Sequence, residues 1–141
     1  MTVLVDTPVW SLFVRRAEAH LSIQEKALRE ELADLVQERR AQLIGPVRQE
    51  VLSGIREEGR CRRLRHSLRA FPDPAITIDD YELAAEYHNR CRASGVVGSA
   101  TDLLICAVSA RRDWQIFTTD RDFSGYARHL PITLYKPRES T

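Results

Sequence analysis

The chain has 141 residues, 43% hydrophobic and 29% charged, with a formal net charge of +1. That length fits one domain over residues 1–141 with a substantial core, and the composition is too apolar for disorder. The charge balance leaves the whole-molecule field silent about partners.

Three cysteines lie far apart with no C-x-x-C pair, and four histidines show no H-x-x-x-H spacing. A secreted disulfide framework and a thiolate or imidazole zinc site are both poor fits. No basic-then-apolar leader precedes the first apolar run, and no stretch approaches the length of a membrane span. The expectation is a soluble cytoplasmic protein with no membrane association.

Thr2 to Val5 reads as a short buried strand closed by Asp6. Asp6-Thr7-Pro8 then starts a helix, with Pro8 at the first helical position. Trp10 and Phe13, three apart on that helix, read as core or interface contacts. Ser22 to Arg40 forms a charged amphipathic helix with Ile23, Ala27, Leu28, Leu32, Leu35 and Val36 on one stripe. Gln42 to Gly45 is a second strand. Pro46 opens a helix through about Glu57, Gly59 interrupts it, and an arginine-rich helix continues to about Ala70.

Phe71-Pro72-Asp73-Pro74 is a stop and turn, and Ala75 to Ile78 reads as a third strand. Asp79 caps a helix to about Ala93. Thr101 to Arg112 is helical and apolar on nearly every face, which marks it as buried. Gln115 to Thr118 is a strand, Phe123 to Arg128 a short helix, and Ile132 to Tyr135 the last strand. Strands alternating with helices predict an α/β fold, a three-layer α/β/α sandwich on a central parallel sheet.

Four acids punctuate this pattern: Asp6, Glu50, Asp102 and Asp120. Asp6 and Asp120 follow strands, where open α/β sheets bind ligands. Singly, each has a structural excuse. Asp6, Asp102 and Asp120 could serve only as helix caps, and Glu50 could be a solvated helix residue. Asp122 reads as a helix-start acid facing solvent. Together they are harder to excuse, because two like charges about 4 Å apart repel by about 4 kcal/mol at an effective dielectric near 20. An all-oxygen set of this kind suits Mg²⁺ or Mn²⁺, and such an ion can orient a phosphodiester and activate water.

The segments around these acids are VLVDTPVW, GPVRQEVLSGI, SATDLLICAVSA and IFTTDRDF. In that order the chain resembles the PIN-domain ribonucleases, in particular the VapC-type toxins of toxin–antitoxin systems. The resemblance implies a PIN-like fold and metal-dependent endoribonuclease activity. Asp6, Glu50, Asp102 and Asp120 would be the metal-binding and catalytic acids. It further implies an RNA substrate, a cognate antitoxin that covers the site, and a homodimer. Thr118 matches the hydroxyl of a T-x-D element supporting Asp120. Pro8 departs from the family, replacing the small polar residue common after the Asp-Thr pair.

Between Arg56 and Arg69, six arginines accompany two glutamates. Arg62, Arg65 and Arg69 share a helical face suited to RNA phosphates; a plain solvated face and a partner surface are the alternatives. A catalytically weak PIN-like RNA-binding or scaffold module is the competing function. A haloacid-dehalogenase phosphatase would need a second Asp at Pro8, and a P-loop enzyme would need a G-x-x-x-x-G-K-[ST] run that is absent.

Overall fold

A computed structural model describes residues 1–14 and 20–139. Four strands, β1 (Val3–Val5), β2 (Ala41–Gln42), β3 (Gln115–Phe117) and β4 (Thr133–Leu134), form one sheet in the order β2-β1-β3-β4. Every pairing is parallel, with Val3 beside Ala41 and Gln115, Val5 beside Phe117, and Ile116 beside Leu134. Helices on both faces complete an α/β/α sandwich. Val3, Leu4 and Val5 are all fully buried, as a parallel strand covered on two faces requires.

The intervening helices are α1 (Thr7–Trp10), α2 (Ile23–Gln37), α3 (Gly45–Ser53), α4 (Glu58–Leu68), α5 (Ile78–Ala93), α6 (Ala100–Arg112) and α7 (Asp122–Ala127). From β1 the chain passes to β2 on one side and returns to β3 on the other. The crevice at the carboxyl ends of β1 and β3 is therefore a topological switch point. Helix α6 is buried without a break from Leu103 to Ser109, as its all-round apolarity predicts. Among the described residues, no helix is long and apolar enough to cross a membrane.

Four expectations are corrected. Ala75 to Ile78 is not a strand. Thr77 instead caps α5 in a reciprocal capping box with Asp80, and the Ala75 carbonyl accepts from Arg112 Nη2 at 3.1 Å rather than from a sheet neighbour. The cap is thus Thr77, and Asp79 lies in the first turn. The break between α3 and α4 falls before Glu57, not at Gly59. Glu57 caps α4 through Gly59 and Arg60 N–H groups, both at 2.9 Å. A Cβ at Gly59 would stand 2.9 Å from Glu57 Oε1, so this glycine makes room for the cap. On α2, Leu32 and Leu35 enter the core, but Ile23 and Ala27 face solvent.

Ionic clasps hold the outer segments. Asp80, fully buried, binds Arg111 and Arg112 at 2.8 Å each, joining the start of α5 to the end of α6. Arg48 on α3 pairs with Asp73 at 2.8 Å and donates to the Leu68 and Phe71 carbonyls, which pins the end of α4. Arg138 pairs with Glu31 at 2.8 Å, fastening the C-terminal segment to α2.

Candidate acidic site

The site grows from the β1–β3 pair. Backbone pairing runs one step past the strands, with Asp6 N–H donating to the Phe117 carbonyl at 2.9 Å. That step sets Thr118 beside Asp6. Thr118 Oγ1 donates to Asp6 Oδ2 at 2.8 Å and accepts from Asp120 N–H at 3.0 Å. One hydroxyl thereby ties the two strand-end acids together; the T-x-D element predicts support for Asp120 alone, and its side chain also reaches Asp6.

Asp6 also caps α1, accepting from Thr7 N–H at 2.8 Å. Thr7 Oγ1 donates to Glu50 Oε2 at 2.9 Å, which draws in the acid from α3. The hydroxyl that Pro8 cannot offer is here matched by Thr7, one residue earlier. Asp102 enters from the first turn of α6, where Ser99 Oγ accepts from its N–H at 3.1 Å. Its side chain is not used up as a cap, because Asp102 Oδ2 accepts instead from Tyr126 O–H at 2.7 Å.

Thr7 and Thr118 thus link Asp6 to Glu50 and to Asp120, while the closest group of carboxylates among the described residues includes neither Asp6 nor Glu50. Oxygens of Asp102, Asp120 and Asp122 lie within 4.8 Å of one another. Asp122 does start α7 and is exposed, as expected, yet it also adds a carboxylate to the rim. Beside Glu50 a groove of about 540 Å³ passes Thr7, Gln49 and Ser53 to reach Thr101.

Burial and like charge dominate the electrostatics of these acids. Burial pushes the Asp6 carboxyl up to about 6; Thr118 and Thr7 oppose the rise, and the charges of Asp102 and Glu50 add to it. Asp102 is raised too, by burial first and then by Asp120 and Asp122, against the Tyr126 hydrogen bond. Burial and Asp102 raise Tyr126, so the phenol stays a donor. Cys106, one turn beyond Asp102, is fully buried, and burial with the nearby acids raises its thiol. It is an inert floor rather than a nucleophile.

Among the described residues, the donors to Asp6, Glu50, Asp102 and Asp120 are hydroxyls and backbone N–H groups, with no Lys, Arg or His paired to them. Neutral donors orient a carboxylate without discharging it. The set is hard, oxygen-only and electron-rich, so a divalent cation such as Mg²⁺ or Mn²⁺ fits it.

Arg62, Arg65 and Arg69 are exposed on α4 and its C-cap. Arg62 reaches Glu58 at 3.8 Å within its own helix. Cys61, Leu64 and Leu68 turn inward, so the two-faced pattern of this helix holds. Sequence reasoning missed Tyr126, whose only local signal is a hydroxyl-bearing aromatic three residues after Phe123.

The sequence profile of the PIN domain matches residues 3–129. The fold is similar to FitAcB from Neisseria gonorrhoeae, at 17% identity and a TM-score of 0.76, covering 96% of this chain and 98% of that one. It is similar to a toxin–antitoxin complex from Klebsiella pneumoniae, at 19% identity and a TM-score of 0.69, covering 99% and 100%. VapBC2 from Rickettsia felis, bound to a DNA fragment from their promoter, matches at 12% identity and a TM-score of 0.67, covering 96% and 98%. No curated protein matches the sequence.

Proposed function

We propose, since this chain belongs to the PIN-domain family, that it is a metal-dependent endoribonuclease acting as the toxin of a VapC-type toxin–antitoxin pair. What supports this reading is that Thr7 and Thr118 link Asp6 to Glu50 and to Asp120, that Asp102 and Asp120 oxygens lie within 4.8 Å of each other, and that the donors to these acids among the described residues are neutral. These four would hold Mg²⁺ or Mn²⁺, which when bound offsets phosphate charge and lowers the pKa of bound water. Thr118 keeps Asp6 and Asp120 in a fixed relation, Thr7 aims Glu50, and the groove beside Glu50 gives a single strand a path to the acids. Arg62, Arg65 and Arg69 would add affinity through RNA phosphates without choosing sequence. A reducing cytoplasm would keep Cys61, Cys91 and Cys106 as the free thiols they are here.

The solved structures with this fold include toxin–antitoxin complexes, which supports a cognate antitoxin as partner. A cleft of about 420 Å³ pairs apolar Phe13, Val14, Ile55 and Leu64 with Arg60 and Arg63, the chemistry to seat an apolar partner helix carrying acids. An Arg or Lys from the same partner could reach the carboxylates and crowd out the metal. A homodimer would cover the apolar groove of Tyr81, Ala84 and Leu104 between α5 and α6.

Purified protein should cleave RNA in Mg²⁺ or Mn²⁺, lose that activity in excess chelator, and lose it again as Asp102→Asn. Co-expression with a neighbouring small gene should yield a stable, silent complex. RNA bound but left intact in both metals would instead make the chain a binding or scaffold module.

A further inference from the structure

We infer that Tyr126 is a positioning residue for the acidic site, locking the Asp102 carboxylate through one oxygen, and that Gly98 is the opening through which its phenol reaches. This rests on the reading that the acids hold a divalent cation.

Tyr126 is almost wholly buried, and a buried phenol needs a hydrogen-bond partner. It has one in Asp102 Oδ2, at 2.7 Å. That is the short range expected of a hydroxyl on an ionised acceptor.

The ring has little freedom. Phe123 meets it edge-on at 5.1 Å between centroids. The Tyr126 carbonyl accepts from His129 N–H at 3.0 Å and Leu130 N–H at 2.9 Å, which closes α7 behind it.

Gly98 supplies the second, independent constraint. A Cβ there would stand 2.2 Å from Leu103 Cδ2, 2.9 Å from Tyr126 Cε1 and 3.0 Å from the phenol oxygen. Any side chain at 98 must displace Leu103, the phenol or both. The loop before α6, α6 itself and α7 are thus fitted to one another at the Asp102 carboxylate.

The other acids take donors from residues that flank an acid: Thr7, next to Asp6, serves Glu50 from 43 residues away, Thr118, two before Asp120, serves Asp6 from 112 residues away, and Asp122 N–H serves Asp120. Asp102 depends on a side chain 24 residues away. The same short helix brings Asp122 to the cluster. Docking of α7 therefore sets both the aim of Asp102 and the charge at the rim. Partners behind metal-binding residues typically matter 10- to 100-fold in affinity, because an unheld ligand samples unproductive rotamers.

The test is Mn²⁺ titrated into metal-free protein and followed by the electron paramagnetic resonance of the free ion, a readout independent of cleavage. Tyr126→Phe keeps the ring on Phe123 and should weaken Mn²⁺ binding roughly 10- to 100-fold. Gly98→Ala keeps the hydroxyl but crowds it, and should weaken binding in the same direction. Tyr135→Phe removes a hydroxyl that serves Glu31 instead, and should change binding less than about threefold, well short of that loss. A Tyr126→Phe affinity within twofold of wild type would overturn the inference, as would an equal loss in Tyr135→Phe. Wild type that binds no Mn²⁺ would overturn it together with the cation site, a distinct result.

Discussion

Asp6→Asn should make the metal-free protein more stable while removing it from catalysis. Asp6 is buried and faces the charges of Asp102 and Glu50, which together with burial lift its carboxyl from 3.8 to about 6. A raised acid binds more protons folded than unfolded, so its contribution to stability falls as pH climbs from about 4 to about 6 and stays low above that. A shift of that size corresponds to about 3 kcal/mol lost by pH 7.5, and about 1 kcal/mol at pH 4.5. Asn carries no charge, and its two polar atoms can still meet Thr7 N–H and Thr118 Oγ1. Urea unfolding in chelator should therefore show a gain of roughly 1–3 kcal/mol at pH 7.5, shrinking to about a third at pH 4.5. Added Mn²⁺ should reverse the ranking, because wild type gains by binding it and the variant does not. A gain that ignores pH, or a variant less stable at pH 7.5, would show that Asp6 is not an uncompensated charge.

Neutralising Arg62, Arg65 and Arg69 together should weaken binding of single-stranded RNA and flatten the log–log salt slope by about 2; an unchanged slope would assign these arginines to a partner or to solvent. Asp80→Asn should cost roughly 2–4 kcal/mol in urea unfolding at pH 7, since it leaves Arg111 and Arg112 facing a neutral group. Arg112 holds the Asp80 carboxyl well below its usual range. The wild-type advantage is therefore complete above pH 4 and fades as acid protonates the folded carboxylate. Equal stability of the two proteins at pH 7 would refute the clasp.

The alternation of strands and helices was legible because buried parallel strands leave apolar runs, as Val3-Leu4-Val5 and Gln115 to Phe117 do. The spurious third strand had the same appearance: Ile76 and Ile78 alternate as strand residues would. What decides that segment is a capping box made by Thr77 and a carbonyl taken by Arg112 from 37 residues away, and no local window contains the second. The misplaced break at Gly59 has a similar cause. Glycine reads as a helix breaker, but here it sits in the first turn to clear the Glu57 carboxylate.

The four acids were visible for unequal reasons. Asp6 and Asp120 stand at strand ends, so the fold class alone nearly places them. Glu50 lies mid-helix on an exposed face, where nothing in its spacing separates it from a solvated residue; only the motif around it did. Asp102 had a sufficient local account as a partner of the Ser99 cap, and that account is true of its backbone. Its carboxylate is governed by Tyr126, which no periodicity links to it. Caps and catalytic acids share the same sequence signature because both want the positive end of a helix. What tells them apart is where the side-chain oxygens go, and for Asp102 they go to a phenol and to two other carboxylates. An acid raised by burial and by its neighbours' charges costs stability wherever it holds no ligand, which is why Asp6 and Asp102, the two raised acids of this cluster, are the ones whose neutralisation should stabilise the metal-free chain.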